Sequence, residues 1–98
     1  MNRPVHFKFR LYVAGDAPNS VQAVANLGAL CREFLAGRHE IEVVDVLREP
    51  QRAQADGVVL TPMLVKLTPA PGRKIVGTLS KTQTVLQALG LSVETATQ

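Results

Sequence analysis

The stretch LYVAGDAPNSVQA, Leu11 to Ala23, decides the fold, because an apolar segment, a polar turn and a helical pattern follow one another directly. The turn contains no cysteine and reads Ala17-Pro18-Asn19-Ser20. Asp16, Asn19 or Ser20 is predicted to cap the helix, and Pro18 is tolerated in a first helical turn. The stretch therefore predicts a strand, a tight connection and the start of a helix.

The strand begins upstream of this stretch, in HFKFRLYVA. Two sets of residues alternate along it with a period of two: Phe7, Phe9, Leu11 and Val13 on one face, and Lys8, Arg10 and Tyr12 on the other. We expect the first set in the core and the second on a solvent-leaning face. The second set is interpreted as an amphipathic cover, with an anion-binding role as the alternative.

The helix is predicted from SVQAVANLGALCREFLAG. The residues at helical spacing on its predicted buried face are Val21, Val24, Gly28, Cys31 and Leu35, flanked by Leu27 and Phe34. Gly37 is expected to supply the left-handed stop.

The remaining elements follow in the order strand, helix, two strands, helix. A second strand is predicted over Glu40 to Leu47, parallel to the first because a helix connects the two. A short helix is predicted from Pro50 to Asp56, and the strands in VVLTPMLVKL and GRKIVGTL are joined by TPAPG. Ser80 and Gln83 are predicted to form a capping box for a last helix that ends at Gly90.

Length and composition restrict the class of protein. The 98 residues, 46% of them hydrophobic, predict one domain over residues 1–98, with a frayed tail from about residue 92. The net charge of +3 is scattered, so we expect no nucleic-acid partner. Without a long apolar run, we expect a cytoplasmic protein with no membrane partner. His6 and His39 lie far apart in sequence, and we expect no metal, no cofactor and no catalytic residue.

The element order β-α-β-α-β-β-α is similar to that of a thioredoxin-like domain, which is α/β. Thr61-Pro62 then stands where that fold carries a cis-proline, with an ordinary trans bond as the alternative. Dithiol exchange needs a thiolate at the helix start, and Ala17 and Ser20 cannot supply one. Cys31 lies about 16 Å further along the helix, at 1.5 Å per residue. A buried structural cysteine is the favoured interpretation, with a redox-sensing thiol as the alternative.

Four strings of sequence carry a resemblance to a known family. They are LYVAGDAPNS, VVDVLREPQRA, LTPMLVKLTPAP and IVGTLS, within a match that runs from about Phe9 to Leu91. On these strings the chain resembles the KaiB circadian-clock family and is also similar to the N-terminal domain of the SasA kinase. The resemblance implies a thioredoxin-like module without active-site cysteines that binds a KaiC-type ATPase ring, with other clock or signalling proteins as further candidate partners.

The resemblance also implies two folds, a thioredoxin-like one that binds KaiC and a resting one in which the C-terminal half is rearranged. Pro62, Ala88 and Gly90 are the candidate fold-switch positions, and alanine at position 88 favours the form that contains the last helix. The resting fold and a homo-oligomer stay open as alternatives.

The predicted contacts with an ATPase partner lie on the first helix and at the exposed edge of the second strand. They are Gln22, Asn26, Glu42 and Val44. The alternative function is that of a stress-response or redox-linked protein without a clock role.

Overall fold

The computed structural model describes residues 5–91, which form a four-stranded sheet with helices on both faces. The strands are β1 (Phe7–Val13), β2 (His39–Asp45), β3 (Met63–Thr68) and β4 (Arg73–Val76). The helices are α1 (Pro18–Phe34), α2 (Pro50–Ala55) and α3 (Thr82–Ala88). The thioredoxin-like fold predicted from the element order is confirmed, and the predicted tail from about residue 92 lies outside the described residues.

The strand order β2-β1-β3-β4 places β2 and β4 at the two edges of the sheet. β1 pairs with β2 in parallel, from Phe7 opposite His39 to Val13 opposite Asp45. β3 runs antiparallel to both of its neighbours, β1 and β4. The parallel connection and the edge position predicted for the second strand are both confirmed.

Each face of the sheet is covered by its own apolar cluster. The larger cluster joins the odd-numbered residues of β1 to α1 and α3. The smaller one joins Tyr12 and Val44 to Ala53 of α2, together with Met63 and Val65 of β3. Because α2 covers the second face, Tyr12 is fully buried, and its predicted place on a solvent-leaning face is wrong. Lys8 is exposed and Arg10 partly so, as predicted.

The buried face of α1 differs from the predicted one at the start of the helix. Val21 and Val24 are 53% and 42% exposed. The buried residues are Ser20, Ala23, Leu27, Leu30 and Cys31. Leucines at 27 and 30 fix the inward stripe, and the positions that continue this stripe toward the helix start hold the small residues Ala23 and Ser20 rather than the valines. Cys31 and Leu35 are buried as predicted.

Neither of the two N-terminal helix caps predicted from the sequence, for α1 and for α3, forms. Pro18 is the first residue of α1, which makes Ala17 the N-cap, and Ala17 has no side-chain acceptor. A residue before proline avoids the helical region, and this steric rule decides where α1 begins. The N-cap of α3 is Lys81, with no side-chain hydrogen bond, so Ser80 stands one position too early for the predicted box with Gln83.

The helix ends and the proline before β3 agree with the sequence. Gly37 and Gly90 have φ of 74° and 79°, in the left-handed region that follows many helices. The Thr61–Pro62 peptide bond is cis, and Pro62 directly precedes β3. Among residues 5–91, no helix combines the length and the apolar character needed to cross a membrane.

Candidate functional site

The turn between β1 and α1 is held by two side chains that close it against the sheet. Ser20 is buried, and its Oγ accepts a hydrogen bond of 3.0 Å from the Ala14 N–H. Asp45, at the end of β2, accepts through Oδ1 from the N–H groups of Gly15 at 3.1 Å and Leu47 at 2.9 Å. Gly15 has φ of 55°, a conformation that glycine adopts without strain. These contacts fix α1 relative to the β2 edge.

An apolar cleft of about 400 Å³ lies between α1 and the edge strand β2. Its apolar side chains include Val21 and Val24 of α1 and Val43 of β2, which is 47% exposed. Exposed apolar residues that stand singly need no explanation, but a contiguous group beside a sheet edge is typical of a protein-binding surface. We call the surface formed by Val21, Val24, Ala25 and Val43 the α1–β2 surface.

The free edge of β2 presents the backbone groups of alternate residues. Phe7 donates its N–H to Arg38 O at 2.9 Å, and Val46 donates its N–H to Val13 O at 2.8 Å. Even-numbered positions of β2 therefore bond to β1. By the alternation of a parallel ladder, Ile41 and Val43 direct their N–H and C=O groups outward. The unpaired groups thus lie next to the apolar cleft.

Val44 and Glu42 belong to the other backbone set. The side chain of Val44 is fully buried under α2. Glu42 is held by two arginines, at 2.9 Å from Arg10 Nε and 2.8 Å from Arg52 Nη1. The hydrogen bond from Arg52 has the larger effect and that from Arg10 the smaller, and together they lower the pKa of Glu42 to about 2. The structure thus places Glu42 and Val44 on the α2 side of the sheet.

Gln22 and Asn26 lie one helical turn apart on α1. Gln22 is exposed, whereas Asn26 is partly buried and donates from Nδ2 to Thr78 O at 2.8 Å. Asn26 therefore ties α1 to the loop before α3. The structure does not bring this pair together with Glu42 and Val44, and the α1–β2 surface lies between the two groups.

The sequence pattern placed Val21 and Val24 on the buried face of the helix, and it did not single out Val43, so the α1–β2 surface was not predicted. The available signal was the competition between two apolar stripes on α1, of which only one can face the sheet. The other missed residue, Asp45, lies directly at the end of β2. A short side chain with an acceptor oxygen, placed next to a tight turn, commonly accepts hydrogen bonds from the N–H groups of the turn.

The thiol of Cys31 is enclosed by the core. Burial raises its pKa to about 11, so that the thiol stays protonated at neutral pH. The start of α1 carries Ala17 and Ser20, and no group of three His, Cys, Asp or Glu side chains within residues 5–91 is placed to hold a metal ion.

Comparison with known proteins places the chain in a family. A family model described as the KaiB domain matches residues 10–91. The chain is 42% identical over 93 residues to the circadian clock protein KaiB3 of Synechocystis sp., with 95% of this chain and 86% of that protein covered. It is 43% identical over 88 residues to the circadian clock oscillator protein KaiB of Microcystis aeruginosa, with 90% and 85% covered.

Solved structures agree on the fold. The N-terminal domain of Synechococcus elongatus SasA matches with a TM-score of 0.72 at 22% identity, over 92% of this chain and 89% of that one. Mitochondrial thioredoxin 3 of Saccharomyces cerevisiae matches with a TM-score of 0.70 at 17% identity, over 89% and 80%. At these identities the likeness concerns the fold alone, and the sequence matches carry the classification. The chain belongs to the KaiB family.

Proposed function

We propose that this protein is a non-catalytic binding module of a circadian or clock-like timing system, and that it docks on a KaiC-like ATPase ring. The observation that supports this most directly is the α1–β2 surface, where three exposed valines line a cleft beside an open strand edge. Family membership and the clock names of the relatives give the class of partner. A cytoplasmic location belongs to the same proposal.

The β2 edge suits a partner that supplies an extended segment or a complementary backbone. An added strand bonds to the outward N–H and C=O groups of Ile41 and Val43, while side chains of the partner enter the cleft. Val21 and Val24 are held in place because the inner face of α1, the helix that carries them, is packed on the sheet. Little ordering is therefore needed on this side of the interface, which favours affinity.

The test is retention of the protein by a KaiC-like hexamer in the presence of ATP, with affinity measured for variants. Val43→Lys and Val21→Lys each place a charge in the apolar cleft, and we expect a loss of about tenfold or more for each, the size typical of a central interface residue. Val76→Lys is the matched control. Val76 is also an exposed valine, at 51%, and it lies on the opposite edge strand β4.

Equal affinity of Val43→Lys, Val21→Lys and the wild-type protein would contradict the proposed surface, and failure of the wild-type protein to bind would contradict the partner. Gln22, Asn26, Glu42 and Val44 stay predicted contacts. Gln22→Ala tests the helix flank cleanly because Gln22 is exposed. Glu42→Lys also breaks the pairs with Arg10 and Arg52, so it needs a parallel measurement of stability.

The redox-linked alternative has no observation in its favour. It requires an accessible thiolate, whereas Cys31 is buried with a raised pKa. An insulin-reduction assay on the wild-type protein and on Cys31→Ser should show no difference and no turnover. Turnover that depends on Cys31 would replace the binding-module proposal.

The position of Ala88 supports a further part of the proposal, concerning the balance between two folds. Ala88 is the last residue of α3, and Gly90 follows with a left-handed backbone. Ala88→Gly should disfavour α3 by up to about 1 kcal/mol, the usual cost of glycine in a helix. If a second fold lies within a few kcal/mol, its population rises about fivefold. Pro62, just before β3, belongs to the half of the chain that would rearrange.

Nuclear magnetic resonance measures this balance directly. The variant should give a stronger second set of amide signals for residues of α3 than the wild-type protein does. Gln87→Ala is the matched control, because it changes an exposed neighbour without weakening helix propensity. A single set of signals at all temperatures in Ala88→Gly would remove position 88 as a fold-switch position, and size-exclusion measurements on the same samples would report any homo-oligomer.

A further inference from the structure

A second pocket lies at the opposite end of β1 from the β1–α1 turn, with a volume of about 330 Å³. It is bounded by the beginning of β1, the β3–β4 hairpin and the end of α3, and most of its lining is apolar. The apolar lining includes Phe7, Pro69, Pro71 and Leu91. It is separate from the α1–β2 surface, and it includes Gly90, which follows α3.

Two cationic side chains line this apolar pocket. Lys66 is only 4% exposed, and Arg38 is partly buried. Lysine is rarely buried to this extent unless it is paired, because removing an ammonium group from water is costly. Within residues 5–91, neither Lys66 nor Arg38 makes an ion pair with a carboxylate.

The contacts of Lys66 account for only part of its hydrogen-bonding capacity. Its Nζ donates to Leu89 O at 3.1 Å, which satisfies a carbonyl at the end of α3. The same atom lies 5.9 Å from the centre of the Phe7 ring. An ammonium group has three donors, and this arrangement uses one of them. Burial and the nearby charge of Arg73 lower the pKa of Lys66, as expected for a cation without a neutralising partner.

We propose that this pocket binds a small organic monocarboxylate, whose carboxylate contacts Lys66 and Arg38 and whose apolar body lies against Phe7 and the prolines of the β3–β4 hairpin. The charge at the site selects an anion, and the apolar walls favour an anion with a hydrocarbon part over a bare inorganic ion. The volume is at the lower end of the range of about 300 to 1,000 Å³ typical of small-molecule pockets. The ligand is therefore small.

The experiment is a titration of the full chain with hexanoate, followed by the amide signals of Phe7, Leu89 and Gly90. We expect a saturable shift of these signals, while the amide of Val43 in the α1–β2 surface stays unchanged. Hexanol, sodium phosphate and sodium chloride at equal ionic strength are the comparison ligands. Hexanol has the apolar body without the charge, and phosphate has the charge without the apolar body.

Two variants test the residues that carry the proposal. Lys66→Met keeps the length of the side chain and removes the charge, and we expect hexanoate affinity to fall by about tenfold or more, the scale of one charge-assisted hydrogen bond. Arg38→Gln should weaken binding by a smaller factor, since Arg38 is less buried. Lys81→Met and Arg48→Gln are matched controls on exposed residues outside the pocket, and they should bind as the wild-type protein does.

Each other outcome overturns the proposal. No saturable shift with hexanoate means that the pocket does not take this ligand class. Equal shifts with hexanol mean that Lys66 and Arg38 do not contribute to binding. Tighter binding of phosphate than of hexanoate means that the apolar walls of the pocket do not contribute. Unchanged affinity in Lys66→Met removes Lys66 from the site. Because Arg38 is partly exposed, Arg38→Gln remains informative even if the Lys66 variant were to fold poorly.

Discussion

Leu27→Ala is expected to lower the free energy of unfolding by about 2–5 kcal/mol, the cost of truncating a fully buried leucine. Leu27 is in the inward stripe of α1 and belongs to the larger cluster with β1 and α3. Val24→Ala should change the same quantity by no more than about 0.5 kcal/mol, because Val24 is substantially exposed and alanine is the better helix former. Denaturant unfolding of both variants measures the difference.

The two variants should also separate stability from binding. Val24 lines the α1–β2 cleft, so Val24→Ala should weaken retention by a KaiC-like hexamer while it leaves unfolding almost unchanged. Leu27→Ala should show the opposite pattern, since its side chain does not reach the surface. A large loss of stability in Val24→Ala, with a small one in Leu27→Ala, would mean that α1 packs on the sheet through the valine stripe.

The strand patterns predicted the sheet well, because alternation of apolar and polar residues indicates a strand without knowledge of the rest of the fold. The odd-numbered residues of β1, from Phe7 to Val13, all lie in the core as expected. Alternation could not show that the second face of the sheet is covered as well. The six-residue helix α2, Pro50–Ala55, provides that cover together with Val46 and Val58, and Tyr12 and Val44 are buried beneath it. The interpretation of Tyr12 as solvent-leaning failed for that reason.

Helix patterns predicted that α1 exists but not its rotation. Two overlapping stripes, one through Val21 and Val24 and one through Ala23 and Leu27, have similar spacing, and hydropathy alone favours the valines. The choice depends on close packing against the sheet, where small residues allow a close approach. The pocket around Lys66 was not predicted either, because a lysine in a strand is normally interpreted as exposed.

The edge of β2 shows the same limit in another form. The edge position followed from the element order, yet the residues that present free backbone groups depend on hydrogen-bond parity. The backbone N–H and C=O groups of Glu42 and Val44 point toward β1, whereas those of Ile41 and Val43 point outward. A shift of one residue exchanges these two sets, and sequence alone does not fix it.

The second large effect concerns Asp56, which directly follows α2 and contacts two strands: its carboxylate contacts β1, and its backbone oxygen contacts β4. Its Oδ2 accepts hydrogen bonds from the Tyr12 hydroxyl and from Arg10 Nη1, the latter at 3.0 Å. Its backbone oxygen accepts from Lys74 Nζ at 2.7 Å. α2 is thereby attached to β1 and β4 at the point where Tyr12 is buried. Asp56→Ala removes the carboxylate and leaves the Tyr12 hydroxyl with Arg52 O, at 3.2 Å, as its remaining partner.

We expect Asp56→Ala to lower the free energy of unfolding at pH 7 by about 1–3 kcal/mol, the usual cost of removing one partner from buried polar groups. The hydrogen bond from Tyr12, with that from Arg10, lowers the pKa of Asp56 below its ordinary value of 3.8. The stabilisation is therefore fully present above pH 3.8 and is lost as the pH falls through the lower pKa of the folded state. The difference between the variant and the wild-type protein should narrow in that range.

Urea unfolding from pH 7 down to pH 2.5 measures the narrowing. Glu33→Ala is the control, since it removes an exposed carboxylate of α1 that has no ion pair among the residues described, and it should change stability little at any pH. Tyr12→Phe combined with Asp56→Ala should cost less than the sum of the two single variants, because both remove the same hydrogen bond. Strict additivity, or a difference that stays constant down to pH 2.5, would mean that Asp56 does not attach α2 to the sheet.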